Sequence, residues 1–361
     1  MSERHYIIPI FVPHSGCPHQ CIFCNQKSIS GAQKQVTASD VSSIINRYLD
    51  TFPENAFIEA AFYGGSFTGI ETEKQAELLK AAFDFLLAGK IQGIRLSTRP
   101  DYISREILSM LKHFGINTIE LGVQSMDSEV LDQSCRGHTS LDVIRASRLI
   151  KEFDFKLGHQ MMIGLPEDTP EKDIMTAKQL IELEPDVVRI YPVLVVKDTP
   201  LEQIYKKGKY MPLSVKEAVE LSKQILKLFK KNGINVIRLG LQVTENINYG
   251  KDVVAGPFHP AFRQLVESEL RLEMITYMLR SVDITRSTEL DIKVNNKEVS
   301  ITVGHKRGNL ERLYADYGFN EIMVTGDSYL DKGKVVIIIA DQNLTLDEHT
   351  FLNNTKILEQ I

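Results

Sequence analysis

Three cysteines lie close together near the start of the chain, at Cys17, Cys21 and Cys24. Their C-x3-C-x2-C spacing lets three thiolates hold one face of a metal centre, and thiolates are soft ligands that suit an iron–sulfur cluster or zinc. Three protein ligands are one fewer than either centre takes. In an iron–sulfur cube the missing ligand leaves one iron open to bind a substrate or a cofactor.

A closed structural zinc site is an alternative, and it needs a fourth ligand. His14, His19 and the distant Cys135 are the candidates for that ligand. Otherwise we expect Cys135 to be a small buried hydrophobe. Disulfides are disfavoured because the N-terminus lacks the layout of a signal peptide, and thiols stay reduced in the cytoplasm, where we place the protein.

A second set of residues, rich in glycine and polar side chains, follows the ends of predicted strands. They are Gly64, Gly65, Ser66, Ser97, Gln124 and Arg136. Two adjacent glycines at a strand end let the backbone approach a ligand closely. Because the C-terminal ends of parallel strands share one rim of a barrel, we expect this set to gather at one mouth.

The elements that position these residues alternate between apolar strands and amphipathic helices as far as about residue 243, which is typical of βα units with a parallel sheet. The predicted strands are 6–12, 57–63, 93–98, 118–124, 155–163, 187–193 and 236–242. The predicted helices are 38–49, 71–88, 105–113, 141–153, 171–183 and 215–231. Periodicity alone leaves open whether the sheet is a doubly wound open sheet or a partial barrel.

The pattern changes after Gly250, which predicts domains at 1–250 and 251–361, the second a smaller α+β domain. Its predicted elements are helix 260–280, strands 290–294 and 298–303, helix 310–317, and strands 321–324 and 334–339.

The composition limits the classes of partner. The chain of 361 residues carries a formal net charge of −5, which argues against nucleic-acid binding by overall electrostatics but leaves a local basic patch open. No run approaches the roughly 18 apolar residues that span a bilayer, so we expect no membrane partner.

The cysteine spacing, with Phe23 before the third cysteine and the first predicted strand before the array, resembles the signature of the radical S-adenosylmethionine (SAM) superfamily. The resemblance implies a partial (βα)6 TIM-like barrel and a [4Fe–4S] cluster on Cys17, Cys21 and Cys24. It also implies that SAM binds the open iron and is cleaved reductively to a 5′-deoxyadenosyl radical. A flavodoxin or a ferredoxin would supply the electron.

The same resemblance implies roles for the second set of residues. Gly64, Gly65 and Ser66 would line the methionine part of SAM. The side chains that would contact the ribose and the carboxylate of SAM are Ser97, Gln124 and Arg136.

Five segments narrow the resemblance to the radical SAM domain of the Elongator catalytic subunit, over about residues 6–243. They are STRPDY (97–102), GVQS (122–125), RGHT (136–139), YPVLV (191–195) and GKY (208–210). The Elongator subunit usually has Glu where Ser97 stands. Its acetyltransferase domain and its further cysteine ligands have no counterpart in this sequence, so acetyl-CoA-dependent modification of wobble uridine is not carried over.

A basic turn flanked by glycines, residues 304–308, is predicted to join a strand to a helix. Such a turn at a helix N-terminus can hold a phosphate through backbone N–H groups and the helix dipole. It is similar to the glycine-rich backbone clamp of KH-type RNA-binding modules. The alternative is an exposed turn with solvated charges, because the surrounding sequence is not basic.

These features support three hypotheses. The first is an oxygen-sensitive radical SAM enzyme that acts on RNA, with tRNA as the expected substrate. The second has the same radical chemistry directed at a small metabolite or a peptide, which suits the acidic composition better. The third is an RNA-binding or interaction protein whose cysteines hold a structural zinc.

Overall fold

The computed structural model describes residues 5–12, 21–25, 36–53, 55–241, 251–284 and 288–355. In chain order, the strands are β1 (His5–Val12), β2 (Phe57–Gly64), β3 (Gly93–Thr98), β4 (Ile116–Gln124), β5 (Lys156–Ile163), β6 (Val187–Pro192), β7 (Val195–Val196), β8 (Asn235–Leu239), β9 (Val253–Ala255), β10 (Glu289–Asn295), β11 (Glu321–Asp327), β12 (Lys334–Ile339) and β13 (Gln342–Asp347).

The α-helices of the described residues, in the same order, are α1 (Ala38–Leu49), α2 (Thr72–Leu87), α3 (Arg105–His113), α4 (Ser128–Gln133), α5 (Ser140–Glu152), α6 (Pro170–Glu182), α7 (Pro200–Lys206), α8 (Val215–Lys231), α9 (Phe262–Leu279), α10 (Val299–Val303), α11 (Gly308–Tyr317) and α12 (Glu348–Asn354). No helix among the described residues has the length and hydropathy needed to cross a membrane.

The described residues form two compact units, one within 1–213 and 241–258 and the other within 214–240 and 259–361. Helix α8 and strand β8 therefore group with the C-terminal residues, whereas the sequence pattern places them before the boundary at residue 250. That boundary stays a prediction.

In the first unit, strands β1 to β6 lie side by side in sequence order. Each neighbouring pair is parallel. Helices connect successive strands, as parallel pairing requires. This arrangement confirms the predicted partial (βα)6 barrel.

Local sequence sets the helix starts. Thr37 caps α1 through a capping box: its side chain accepts a hydrogen bond from the backbone of Asp40, and the Asp40 carboxylate accepts one from the backbone of Thr37. Thr139 and Asp142 form the same arrangement at α5. These contacts satisfy N–H groups that the first turn of a helix leaves without partners.

Side chains alternate across the barrel sheet. One face is covered by helices: His159 of β5 is 2.9 Å from the Ser147 hydroxyl of α5. The neighbouring position, Gln160, is in register with Arg189 on the opposite, inner face of the barrel. Strand alternation thus directs one set of polar side chains into the barrel.

The second unit contains a four-stranded sheet in the order β11-β10-β12-β13. Strand β10 pairs in parallel with β11 and antiparallel with β12. The predicted strand at 298–303 is wrong, because Val299–Val303 is helix α10. Its alternating apolar residues favour a strand locally, but parallel neighbours need a crossover connection, and helices supply it here.

Candidate active site

Residues 21–25, which carry two of the predicted cluster ligands, are tied to the rest of the first unit by backbone hydrogen bonds. The N–H of Ile22 donates to the carbonyl of Ser134 over 3.3 Å, and the N–H of Leu201 donates to the carbonyl of Ile22 over 2.8 Å. The Ile22 side chain belongs to a buried apolar cluster. The backbone next to Cys21 is therefore held in place by packing as well as by hydrogen bonds.

The sulfur of Cys21 has a cationic neighbour. Nη1 of Arg136 donates a hydrogen bond to Cys21 Sγ over 3.1 Å, and Nη2 donates to the carbonyl of Gly122. Cys21 and Arg136 are both buried. The hydrogen bond places a guanidinium directly beside the sulfur of a predicted cluster ligand.

Cys24 is half-buried, and the N–H of Cys24 donates to the carbonyl of Cys21 over 3.0 Å. Cys17, the remaining predicted ligand, lies outside the described residues, as do His14 and His19. Within the described part of the chain, no three His, Cys, Asp or Glu side chains are grouped to hold a metal ion.

Cys135 is exposed, so the expectation of a buried hydrophobe is wrong. It has a left-handed backbone with a φ of 52° in the turn after α4. This turn orients the next residue, Arg136, toward Cys21 while the Cys135 side chain faces solvent.

Gln124 ends β4 with a left-handed backbone, at a φ of 69°, next to a register shift in the pairing of β4 with β5. A Cβ placed on Gly122 would lie 3.1 Å from Gln124 Nε2 and 3.4 Å from Arg136 Nη2, so these two side chains meet over Gly122. Gln124 Oε1 and Arg136 Nε are buried and have no hydrogen-bond partner among the described residues. Strained backbone and unsatisfied polar atoms together are typical of a ligand site.

The glycine turn after β2 lies directly against the end of β1. Gly64 has a φ of 114°, and a Cβ there would be only 2.6 Å from the carbonyl oxygen of Val12. The N–H of Gly65 donates to the same oxygen over 3.2 Å. Ser66 is buried beside this turn. The fold therefore brings Gly64–Ser66 to the point where the chain leads into the cysteine array.

Hydrogen bonds and close packing connect the ends of β2, β3 and β4. The hydroxyls of Thr68 and Thr98 are 2.6 Å apart, and a Cβ on Gly122 would lie 3.6 Å from the carbonyl oxygen of Thr98. The neighbouring Ser97 is half-buried and in register with Glu120. Its hydroxyl forms no hydrogen bond with another described residue.

Four charged side chains on the inner face form a buried network that the sequence analysis missed. Glu120 is paired with Arg189 and with Arg95, whose Nε is 3.1 Å from Glu120 Oε1. Nη1 of Arg95 lies 3.2 Å from Glu59 Oε2. The available signal was a single charged residue within each of four strands that carry no other charge.

Tyr63 extends this network toward the glycine turn. Its hydroxyl accepts a hydrogen bond from Arg189 Nη2 over 2.8 Å and donates to Glu120 over 3.4 Å. Burial, and then the Glu120 charge, raises the pKa of Tyr63 above its usual value. Burial opposes ionisation of Glu120, but Arg189 and Arg95 hold its pKa below the usual value. At neutral pH the phenol is neutral and the carboxyl is charged.

His138 lies beneath Arg136. Burial, with the charges of Arg136 and Arg99 in addition, lowers the pKa of His138 to about 3. Its Nε2 is 3.2 Å from the carbonyl oxygen of Val123, which fits a neutral ring donating through Nε2. His138 is therefore an uncharged support for the site at neutral pH.

Comparison with known proteins identifies the family. The profile of the radical SAM superfamily matches residues 11–180, and that of the radical SAM C-terminal domain matches residues 185–272. The uncharacterized protein MJ0486 of Methanocaldococcus jannaschii is 34% identical over 230 residues, covering 61% of this chain and 70% of that protein. The chain belongs to the radical SAM superfamily. It is accordingly an enzyme.

Other relatives of this radical SAM enzyme are longer proteins. The tRNA uridine(34) acetyltransferase of M. jannaschii is 29% identical over 256 residues, which cover 60% of this chain and 47% of that protein. The human Elongator complex protein 3 is 37% identical over 142 residues, which cover 38% of this chain and 26% of that protein. The chain thus matches about half or less of the length of these two relatives.

A solved structure shares the radical SAM fold. The Elp3 of Methanocaldococcus infernus, with residues 1–46 deleted, superimposes with a TM-score of 0.61 at 21% identity. The match covers 93% of this chain and 74% of that one.

Proposed function

We propose that this radical SAM enzyme binds a [4Fe–4S] cluster through Cys17, Cys21 and Cys24, cleaves SAM, and modifies an RNA, with tRNA as the substrate. The hydrogen bond from Arg136 to Cys21 Sγ, beside the unsatisfied oxygen of Gln124, carries the proposal. A cytoplasmic location and an electron donor such as a flavodoxin or ferredoxin are parts of it.

The described residues fit both cofactors. Cys21 and Cys24 offer soft sulfur donors, and a cation supports one of them. Gly64 packs against the Val12 carbonyl, which holds the glycine turn at the end of β1. Gln124 Oε1 and Arg136 Nε are buried polar atoms without hydrogen-bond partners among the described residues. These groups suit the amino acid and ribose parts of SAM.

When bound, the reduced cluster would supply the electron for the reductive cleavage of SAM, the source of the radical that acts on the substrate. The backbone of Gly64 and Gly65, with the Ser66 hydroxyl, would hold the methionine part. Ser97, Gln124 and Arg136 would orient the ribose and the carboxylate. The paired charges on the inner face keep the barrel interior rigid without presenting an unbalanced charge to the reaction.

The RNA assignment is supported by relatives whose names state that they act on tRNA uridine. A small polar metabolite or a peptide is the second candidate, because Tyr63 and Glu120 bring polar groups into the barrel interior. The two candidates differ in size, so RNA binding by the whole enzyme separates them.

Anaerobic metal analysis tests the cluster assignment. We expect about four irons per chain in the wild type. Cys21→Ala should lose both the iron and the reductant-dependent formation of 5′-deoxyadenosine, and air should bleach the wild-type cluster. Cys135→Ala is the matched control, because its exposed thiol is not a predicted ligand and both properties should persist. One zinc per chain with no SAM cleavage would instead establish the structural-zinc alternative.

A further inference from the structure

The basic turn of the second unit has a setting that its sequence did not predict. It joins two helices, α10 and α11, and the strands on either side, β10 and β11, are parallel neighbours. The chain runs from β10 through α10 to the glycine-flanked turn, and then through α11 to β11. The turn therefore lies at the start of α11.

The backbone of the turn presents two cations to solvent. Gly304 has a φ of 83°, and a Cβ there would lie 2.7 Å from the backbone nitrogen of Asn309. Lys306 and Arg307 both adopt left-handed backbones, with φ values of 50° and 66°. Their side chains are exposed and form no ion pair or hydrogen bond with any described residue.

The start of α11 is open on the same side. Arg307 is its N-cap residue, and no side chain caps the helix. A Cβ on Gly308 would have no other atom within 4 Å, so the space beside this residue is open. The N–H groups of Arg307 and Gly308 already donate to the carbonyls of Gly304 and His305. The positive end of the helix dipole still favours an anion there.

A cavity of about 730 Å³ adjoins this helix start. Its lining includes His305, Gly308, Asn309, Arg312 and Ser268. Ser268 is only 4% exposed, yet its hydroxyl has no hydrogen-bond partner among the described residues. This unsatisfied buried hydroxyl indicates a polar ligand independently of the helix end.

The acidic residues of the cavity already have partners. Glu269 accepts from Arg312 over 2.7 Å, and Glu220 lies 2.9 Å from Lys223 Nζ. Both acids are therefore compensated by neighbouring cations. The exposed Glu311 in the first turn of α11 is the remaining nearby acid.

Two imidazole rings at the turn offer a surface for a base. The rings of His259 and His305 meet edge to face with centroids 5.1 Å apart. Burial, and then the nearby His305 and Lys306, lowers the pKa of His259. Histidine rings are among the side chains on which unpaired RNA bases stack.

We propose that residues 304–309 bind a backbone phosphate of single-stranded RNA, with the adjoining cavity taking the attached nucleoside. The inference rests on RNA as the substrate class proposed above and adds a binding site outside the barrel. Phosphate matches the positive end of the helix dipole and the two unpaired cations, and a cavity of this size is suited to a nucleoside.

The test measures fluorescence anisotropy of a labelled single-stranded RNA of about four to eight nucleotides with the full chain at low salt. Lys306→Gln with Arg307→Gln should weaken binding by about tenfold or more. Gly308→Ala keeps the charge but puts a methyl group in front of the helix, so it should also weaken binding while the melting temperature stays equal or rises.

The matched control is Lys293→Gln with Lys332→Gln, which removes two exposed charges elsewhere in the same unit. It should bind RNA like the wild type, and all variants should cleave SAM normally. If the wild type binds RNA and the turn variants bind equally well, the turn is not the site, although RNA remains the substrate class. Absence of RNA binding by the wild type would overturn both proposals while leaving the cluster chemistry intact.

Discussion

Gly64 makes the tightest backbone contact at the barrel mouth. Its φ of 114° is a conformation that side chains rarely adopt, and the space for a Cβ is taken by the Val12 carbonyl. The same carbonyl accepts the N–H of Gly65. Two strand ends thus meet through backbone atoms alone, and the position of the proposed SAM turn depends on that contact.

We expect Gly64→Ala to destabilise the first unit more than a glycine substitution without a steric conflict. Gly89→Ala is the matched control, because its φ of 68° is also positive but a Cβ there meets no atom within 4 Å. The control should cost about 1 kcal/mol, and Gly64→Ala about 1–3 kcal/mol more. Urea unfolding measures both values. Equal losses would show that β1 moves aside to accommodate the methyl group.

At the scale of elements, strands β2, β3, β4 and β6 are joined on the inner face by Glu59, Arg95, Glu120 and Arg189. Buried ion pairs add little net stability, but removing one partner leaves the other charge uncompensated. The network therefore constrains how these four strands are arranged more than it stabilises the sheet.

Glu120→Gln tests this dependence. The substitution leaves Arg95 with only Glu59 and leaves Arg189 without its carboxylate, so we expect a loss of about 3–5 kcal/mol. Glu152→Gln breaks the pair with Arg105, in which both side chains are more than half exposed, and should cost less than about 1 kcal/mol. Chemical denaturation of the two variants gives the comparison. Similar small losses would mean that water compensates the inner-face arginines.

Asp168, in the loop after β5, and Asp173, in the first turn of α6, form a pair of carboxyls with a predictable pH response. Burial raises the pKa of Asp168 to about 6, and burial together with the Asp168 charge raises the pKa of Asp173 well above its usual value. The folded state therefore binds protons more tightly than the unfolded state. This contribution is fully present below the ordinary pKa near 3.8 and is lost as pH rises through about 6.

Asp168→Asn should consequently raise stability at pH 8, by about 1 kcal/mol or more, because it removes a charge that burial disfavours. The gain should shrink at pH 5, where the wild-type pair retains a proton. Thermal unfolding at both pH values measures the difference. A larger gain at pH 5 than at pH 8 would contradict a raised pKa of Asp168.

At the scale of the whole molecule, a net charge of −5 must coexist with the proposed RNA binding. Only a local group of cations is then available to replace counterions on the RNA, whereas the remaining surface repels it. Binding should therefore depend on salt less steeply than it does for proteins with extended basic surfaces.

We expect log K to fall with log[salt] with a slope of about −1.5 to −2 for single-stranded RNA, which corresponds to two or three neutralised phosphates. Titrations at several salt concentrations give the slope directly. A slope several times steeper would indicate a wide basic surface rather than the turn at residues 304–309.

Local sequence predicted much of the fold. The bounds of α1, α3, α8, β3 and β12 agree with the predicted segments to the residue. Capping pairs such as Thr37 with Asp40, and the spacing of apolar residues, act within one or two turns and can be read without knowing the neighbours. The prediction of a strand at 298–303 failed because the pattern Val-Ser-Ile-Thr-Val suits a strand. The parallel pairing of β10 with β11 requires a crossover connection, which is helical here.

The sequence by itself determined the family and the cysteine array, because ligand type and spacing are properties of contiguous residues. Only the tertiary structure decided that Arg136 contacts Cys21, more than a hundred positions away, and that Gly64 lies against Val12. The same holds for the pairing of Glu120 with Arg189. Such contacts depend on strand order and register, which bring distant residues together through packing that no local pattern encodes.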